Sequence, residues 1–232
     1  FLVSLIFFSA IYAESINADH FKNLKFRFIG PDGNRAIAVA GISSDHNTYF
    51  VGAASGGLWR TKNNGISWKP IFDDQDVSSV SALAVSQKDP NIVWAGTGET
   101  FLIRPAHAIG DGIYKSTDGG DTWTNMGLEK TARIGRIVIH PTNPNIVYVA
   151  ALGHAHGPQK ERGIYRTTDG GKSWEHVLFI NENTGGIDIA IDLNNPNFLL
   201  ASMWEIHINS WGLNSGGESG GVFISRDGGD SW

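Results

Sequence analysis

One eight-residue motif recurs four times along the chain. Each copy reads Ser/Thr-x-Asp/Asn-x-Gly-x-Ser/Thr-Trp, and the copies start at residues 61, 116, 167 and 225, at intervals of 55, 51 and 58 residues. A period of about fifty residues is typical of repeat architectures, in which every period forms one structural unit. This spacing constrains the fold more than any other feature of the sequence.

A second element recurs in step with the first. Residues 84–95, 139–150 and 191–201 each contain an apolar segment, a Pro-Asn turn and another apolar segment. Alternating apolar and polar residues on both sides of the turns are typical of β-strands. One period therefore predicts four antiparallel strands, which is a propeller blade. We expect an all-β fold, a β-propeller fragment of about four four-stranded blades at residues 36–70, 79–127, 134–179 and 187–232.

The eight-residue motif has a physical reason for each fixed position. The Asp or Asn side chain accepts backbone N–H bonds of a hairpin turn, the glycines allow positive φ, and the hydroxyls close the loop. The terminal Trp is expected to pack against the neighbouring blade. The predicted structural residues of these turns are Asn63, Trp68, Asp118, Trp123, Asp169, Trp174, Asp227 and Trp232.

Composition excludes several classes of function. The 29 glycines and the aromatic content of 11% favour turns joined by strands over a helical bundle. A net charge of -5 without a run of Lys or Arg argues against binding of nucleic acid or an anionic membrane. Because the chain contains no cysteine, disulfides, thiolate metal sites and cysteine nucleophiles are excluded.

The N-terminus predicts export. Residues 1–13 are apolar and uncharged, too short to span a bilayer, and are followed by polar residues. They are typical of the apolar part of a signal peptide, here truncated and cleaved after Ala13; a buried first strand is the alternative. We expect a periplasmic or extracellular protein without membrane insertion in this fragment. An entry segment (14–35) precedes an incomplete propeller (36–232), and further blades are expected after Trp232.

The repeats resemble the Asp-box (BNR-repeat) β-propeller superfamily. That superfamily includes sialidases, xyloglucanase-type glycoside hydrolases, a photosystem II assembly factor and the sortilin N-terminal domain. Through residues 56–60, 134–141 and 150–154, the chain is most similar to large secreted bacterial proteins labelled sortilin-like or glycosyl-hydrolase-like. The resemblance implies the fold and leaves the activity open, because one fold carries many functions.

The candidate binding residues lie on the loops between the second and third strands of the blades. In a propeller these loops emerge on the face opposite the Asp-box turns, and here they span residues 98–111, 153–162 and 204–220. Aromatic and charged side chains on variable loops of a rigid frame are typical of a binding face, and a merely solvated face is the alternative. The candidate ligand-binding residues are Arg104, His107, His154, His156, Arg162, Trp204, His207 and Trp211.

Two smaller patterns concern charge and metal. His154 and His156 could supply two metal ligands, but the spacing fixes no third ligand, so we predict neither a metal nor a cofactor. Alignment of the blades places Arg136 and Asp188 at one equivalent position of successive inner strands. They are expected to face each other, either as a charged channel lining or as an ion pair between blades.

The sequence favours a binding platform for a polypeptide or glycan, similar to the sortilin N-terminal domain. The alternative is a glycoside hydrolase of xyloglucanase-like or related type. Its two carboxylates beside the scissile bond are then expected on the loop face or in further blades after Trp232. Xyloglucanase-type enzymes carry a catalytic Asp before a Gly-Gly-aromatic-Arg segment, whereas the matching residues 53–60 contain no carboxylate. A structural assembly factor is a third hypothesis. The sequence does not decide enzymatic activity or oligomeric state. The weak catalytic candidates are Glu99, Asp111, Glu161 and Glu205.

Overall fold

The computed structural model describes residues 17–22, 30–31, 35–100 and 108–232. The predicted signal segment and two candidate binding residues, Arg104 and His107, lie outside these ranges. Short 3₁₀ turns occur at Ala18–Phe21 and Glu129–Thr131. Within the described ranges, no helix has the length and apolar character needed to cross a bilayer.

The described chain forms four four-stranded antiparallel sheets, which confirms the predicted all-β propeller fragment. Each sheet of the first three blades follows chain order from its inner to its outer strand. Blade 1 comprises β1 (Ala36–Ile42), β2 (Asp45–Ala53), β3 (Leu58–Thr61) and β4 (Lys69–Pro70). Blade 2 comprises β5 (Val80–Val85), β6 (Val93–Thr97), β7 (Ile113–Ser116) and β8 (Thr124–Asn125).

Blades 3 and 4 differ in their outer parts. Blade 3 comprises β9 (Ile134–Ile139), β10 (Val147–Ala151), β11 (Gly163–Thr167) and β12 (Glu175–Leu178). Blade 4 comprises β13 (Thr184–Ile191), β14 (Leu199–Asn209), β15 (Gly212–Ser215) and β16 (Gly221–Ser225). β16 pairs with the first half of β14, and β15 pairs with its second half, so β14 and β15 form a hairpin that extends beyond the rest of the sheet.

Apolar packing between neighbouring blades forms the core. The innermost strands β1, β5, β9 and β13 lie side by side in that order. Phe50 and Leu58 of blade 1 share one buried cluster with Leu83 of blade 2. Trp94 of blade 2 is packed in the same way with Ile137 of blade 3. Burial of such side chains stabilises the packing of the blades. It thereby fixes the position of the loops at the two ends of each blade.

The eight-residue motifs form turns at one end of the blades, which we call the Asp-box face. Asp118 accepts hydrogen bonds from the backbone N–H of Thr122 at 2.9 Å and from its hydroxyl at 2.6 Å, and also from Ser116 at 2.7 Å. These bonds, the Thr122 hydroxyl first, hold the pKa of Asp118 well below its usual range. In blade 1, the Oδ1 of Asn63 accepts the Ser67 N–H at 2.9 Å. An amide thus forms the same turn without a charge.

Each described Asp-box indole of the middle blades contacts the preceding blade. Trp123 donates to the Ile71 carbonyl, and Trp174 to the Met126 carbonyl, both at 2.7 Å. Trp174 also packs edge-on against Trp94, with ring centroids 6.0 Å apart. A Cβ at Gly171 would come within 2.5 Å of Trp94, and Gly171 has φ of 98°, so only glycine fits this turn.

In blades 1 to 3, a basic residue near the end of the third strand contacts the Asp-box turn of the following blade. The sequence analysis missed this contact. Arg60 donates to the Gly119 carbonyl at 2.6 Å and to Asp121 at 2.7 Å. Lys115 contacts the Gly170 carbonyl at 2.9 Å. The signal was present, because a basic residue precedes the first hydroxyl residue of three motif copies. The fourth copy has Ile224 there.

Candidate functional site

The opposite end of the blades carries the long loops, and we call it the loop face. Three hollows lie there on blades 3 and 4. The blade 3 cleft, of about 600 Å³, is lined by Lys130, His154, Pro158, Gln159, Lys160, Glu161 and Glu182. The outer pocket, of about 440 Å³, is lined by Lys160, His176, Phe179, Ile180, Asn181 and Glu182. The hairpin pocket, of about 630 Å³, is lined by Asn183, Glu205, His207, Leu213, Asn214, Ser215 and Gly216.

The linker between blades 3 and 4 joins the three hollows. Lys160 and Glu182 line both the blade 3 cleft and the outer pocket. Asn183, the next residue along the chain, lines the hairpin pocket. The segment 179–183 therefore contributes wall residues to each of the three hollows.

Charged side chains of both signs line the blade 3 cleft. Lys130 and Lys160 supply two ammonium groups, and Glu161 and Glu182 supply two carboxylates. Among the residues that the structure describes, none of these four side chains forms an ion pair. Their charges are thus available to a ligand, with solvent as the competing partner.

Gln159 fixes the floor of the cleft. Its side-chain oxygen accepts the backbone N–H of His154 at 2.6 Å, and its side-chain nitrogen donates to the Lys130 carbonyl. Its own backbone N–H donates to the Glu182 carbonyl at 2.8 Å. One buried amide residue therefore joins the blade 3 loop to the linkers on both sides.

Arg162, a candidate ligand-binding residue, lies inside the protein and beneath the loop face. Its side chain is 0% exposed, and it donates hydrogen bonds to backbone carbonyls of three chain segments. Burial, and then the charge of Arg133, lower the pKa of Arg162. The structure thus places Arg162 where it supports the loops and where a ligand on the face cannot touch it.

The β14–β15 hairpin forms one wall of the hairpin pocket. Trp204 donates to the Ser215 hydroxyl at 3.1 Å across the hairpin. Nδ1 of His156, from the blade 3 loop, lies 3.0 Å from the Ile208 carbonyl. Trp211 stands at the tip of the hairpin and is 89% exposed. An indole so exposed on an anchored hairpin is available for stacking against a ligand.

Glu205 is a hydrogen-bonded carboxylate beside the hairpin pocket. It accepts the hydroxyl of Ser219 at 2.6 Å and the backbone N–H of Ser219 at 3.1 Å. The hydroxyl bond, followed by the backbone bond, lowers the pKa of Glu205. A carboxylate in this state accepts hydrogen bonds, whereas a general acid requires a raised pKa.

Two other carboxylate candidates have partners within the protein and line none of the three hollows. The side chain of Glu99 is 7% exposed and forms an ion pair with Arg35. Asp111 accepts the Tyr114 hydroxyl at 2.6 Å. Burial, and then this bond, raise the pKa of Tyr114 to about 12. Only Glu161 and Glu205, of the four candidates, line a hollow on the loop face.

The outer pocket has an apolar side. The His176 ring stacks on Tyr165, with centroids 4.3 Å apart, and Phe179 packs edge-on against it at 5.4 Å. Burial lowers the pKa of His176, which favours the neutral ring. Phe179 remains partly exposed at the pocket rim. Sequence reasoning missed this pocket, because its residues come from β12 and the linker and the long loops supply only Lys160.

The predicted contact between Arg136 and Asp188 is confirmed. Nε of Arg136 lies 2.7 Å from Oδ1 of Asp188, and each side chain is about half exposed. Within the described ranges, no group of three His, Asp or Glu side chains is arranged to hold a metal ion. His154 and His156 diverge in their contacts, since His154 lines the blade 3 cleft while His156 contacts the hairpin.

Comparison with known proteins gives a family match and several relatives. A family model described as sortilin, neurotensin receptor 3 (Sortilin-Vps10) matches residues 111–232, more than half of the chain. A xyloglucanase from Paenibacillus sp. is 27% identical over 171 residues, which covers 67% of this chain. The chain spans only 16% of that relative's length.

Solved structures share the fold. The GH74 enzyme of Niastella koreensis matches with a TM-score of 0.62 and 22% identity, covering 84% of this chain and 28% of the enzyme. YCF48, solved bound to D1 peptide, matches with a TM-score of 0.52 and 16% identity, covering 90% of this chain and 86% of YCF48. At these identities the matches establish the architecture alone.

Proposed function

The chain belongs to the Sortilin-Vps10 family, and we propose that its loop face is a binding platform for a carbohydrate or polypeptide chain. The observation that carries the proposal is the blade 3 cleft with its two adjoining pockets. Hydrogen bonds of Gln159 and Arg162 hold its loop, and Lys160 and Glu182 line it with charge. Trp211 adds an exposed ring at the tip of the neighbouring hairpin. A concave, preformed site with a few convergent polar groups is what chain-like ligands require.

Both ligand classes have support among proteins of this fold. The relatives of this chain are named xyloglucanases, and a structural neighbour was solved with a bound peptide. The charges of both signs in the blade 3 cleft and the partly exposed Phe179 suit a polypeptide. The amide and hydroxyl groups of Asn183 and Ser215, together with Trp211, suit a sugar chain.

Binding is favoured over hydrolysis by the arrangement of carboxylates. Residues 53–60, where similar xyloglucanase-type enzymes carry a catalytic Asp, contain none, and Ala53 and Ala54 are buried. Glu205 has a lowered pKa, which disfavours a role as the protonating acid. Neither residues 53–60 nor Glu205 therefore supply the acid and nucleophile pair of a glycosidase.

Titration with xyloglucan, other β-glucans, sialosides and a library of blocked peptides tests the proposal. We expect binding by calorimetry without release of reducing sugar, and a loss of affinity of about tenfold or more in Trp211→Ala, or in Trp204→Ala, for a stacked ligand. Absence of binding to every member of the panel contradicts the proposal. So does reducing sugar released by the parent protein and abolished in Glu205→Gln.

Glycoside hydrolysis is the second candidate, because Glu161 and Glu182 line the same cleft and the relatives are xyloglucanases. Retaining and inverting glycosidases need two carboxylates at about 5–9.5 Å from each other. If the chain cleaves xyloglucan, Glu161→Gln and Glu182→Gln must each lower kcat at least about a hundredfold. Unchanged rates in both variants exclude this cleft as a catalytic centre.

Export is part of the proposal. The apolar segment 1–13 followed by polar residues supports a secretory signal and a periplasmic or extracellular location. N-terminal sequencing of the protein recovered from a secreting host tests it. We expect the mature chain to begin at Glu14, and recovery with residues 1–13 intact contradicts cleavage.

A further inference from the structure

We propose that Arg162 is a positioning residue that holds three loop-face segments in one arrangement, so that the binding site is formed before a ligand arrives. The inference rests on the proposed function for its purpose. The hydrogen bonds concerned lie within the protein and need no ligand.

The side chain of Arg162 reaches three segments at once. Nη1 donates to the Asn183 carbonyl at 2.8 Å and to the Ile206 carbonyl at 3.3 Å. Nη2 donates to the His154 carbonyl at 2.8 Å and to the Gly157 carbonyl at 3.3 Å. The blade 3 loop, the linker and the β14–β15 hairpin thus meet at one guanidinium group. These are the segments that line the cleft and the hairpin pocket.

Stability alone does not account for an arginine at this point. The side chain is 0% exposed, and among the described residues no carboxylate pairs with it. Burial of an unpaired charge is costly, and an apolar residue of similar volume often stabilises a fold better. A planar fork with fixed donor directions is, however, suited to holding several carbonyls in defined positions.

Neighbouring residues fit closely around this arginine. A Cβ at Gly153 would lie 2.5 Å from Cγ of Arg162, so glycine is required there. Arg133 donates to the Gly153 carbonyl at 3.4 Å and to the Glu99 carbonyl at 3.0 Å, which ties the start of the same loop to blade 2. Gln159 fixes the middle of the loop. Of these three side chains, Arg162 is the one that contacts blade 4, at the Ile206 carbonyl.

Hydrogen exchange of the full chain tests the proposal without a ligand. The reporters are the backbone N–H of Gln159, bonded to the Glu182 carbonyl, and that of Ile206, bonded to the Asn183 carbonyl. In Arg162→Ala we expect exchange at both to rise at least about tenfold, while the strands of blades 1 and 2 stay protected. Millimolar guanidinium should restore protection by filling the vacated site, and methylammonium should not.

Arg60→Ala is the matched control, because Arg60 is also buried and donates to a backbone carbonyl, but on the Asp-box face. It should leave the loop-face reporters unchanged. Unchanged exchange in Arg162→Ala, a rise spread equally over all blades, or restoration by methylammonium as well as guanidinium overturns the proposal.

Arg162→Lys covers the case in which the alanine variant does not fold. Lysine presents its three donors at a single nitrogen, so exchange at Ile206 and Gln159 should fall between the parent and the unprotected value. Parent-like exchange in this variant overturns the proposal. Failure of the parent protein to bind any tested ligand contradicts the proposed function, whereas the exchange pattern decides the positioning role separately.

Discussion

The two faces of the molecule are held in shape by different kinds of contact. On the Asp-box face, each turn is closed mainly by its own side chains, as Asp118 does with a hydroxyl and an N–H four residues away. On the loop face, a loop is held by residues far apart in sequence, as when Arg162 contacts the carbonyl of Ile206. Hydrogen bonds within a turn repeat from blade to blade with the motif. Hydrogen bonds between residues far apart in sequence allow each loop to differ. One face is therefore uniform, and the other is free to vary for ligand recognition.

The largest expected difference in stability is between alanine variants of two tryptophans, one on each face. Trp174 packs on Trp94 and donates to the Met126 carbonyl, so Trp174→Ala should lower the free energy of unfolding by about 3 kcal/mol. Trp211 is 89% exposed, and Trp211→Ala should change that free energy by less than about 0.5 kcal/mol. Urea denaturation measures both. Equal losses would remove the distinction between a structural and an exposed indole.

Two carboxylates of the loop face should differ in their contribution to stability. Glu99 is buried in an ion pair with the partly exposed Arg35, so Glu99→Gln should lower the free energy of unfolding by about 2 kcal/mol. Glu205 contacts Ser219, and its glutamine variant should retain a hydrogen bond and lose much less. Thermal unfolding of the two variants measures the difference. A larger loss in Glu205→Gln would contradict the structural role assigned to Glu99.

The sequence contained enough information to predict the repeated face and much less to predict the other. The turn chemistry of Asp118 lies within a few residues, so its period is visible in the sequence. The sequence predicts Arg162 on the ligand-binding face, because aromatic and charged residues on variable loops are typical of such a face. Its burial depends on carbonyls up to 44 residues away, and no local pattern reports them. The outer pocket was missed because Phe179 lies outside the long loops.

Acid should weaken the turns of the Asp-box face. Hydrogen bonds from Ser231, its hydroxyl foremost, lower the pKa of Asp227 to about 2, below the value of about 3.9 in an unfolded chain. Its stabilising effect is therefore complete above about pH 4 and is lost as the pH falls through about 2. Replacing Asp118, Asp169 and Asp227 by Asn should make the stability of the protein depend less on pH in this range. Free energies of unfolding measured at several pH values test this expectation. The same pH dependence in the triple variant as in the parent would contradict the role of these three carboxylates.

The smallest expected change in stability concerns the contact between blades 2 and 3 on the Asp-box face. Arg60 and Arg166 pair with Asp121 and Asp230 of the next blade, but Lys115 meets the like charge of Lys172. Lys172→Asp should introduce the missing pair and raise the free energy of unfolding by about 0.5 kcal/mol. High salt should reduce this gain in stability. If Lys172→Asp gives no gain at low salt, the contact of Lys115 is not equivalent to those of Arg60 and Arg166.

Binding titrations on the parent protein, Trp211→Ala and Ile66→Ala decide whether the loop face is the binding face. Ile66 lies on an Asp-box turn and is 79% exposed, so it is a matched apolar residue on the opposite face. For a ligand found in the glycan and peptide panel, we expect the loop-face variant to bind at least about tenfold more weakly and the Ile66 variant to bind like the parent. Weaker binding in Ile66→Ala with unchanged binding in Trp211→Ala would contradict the account.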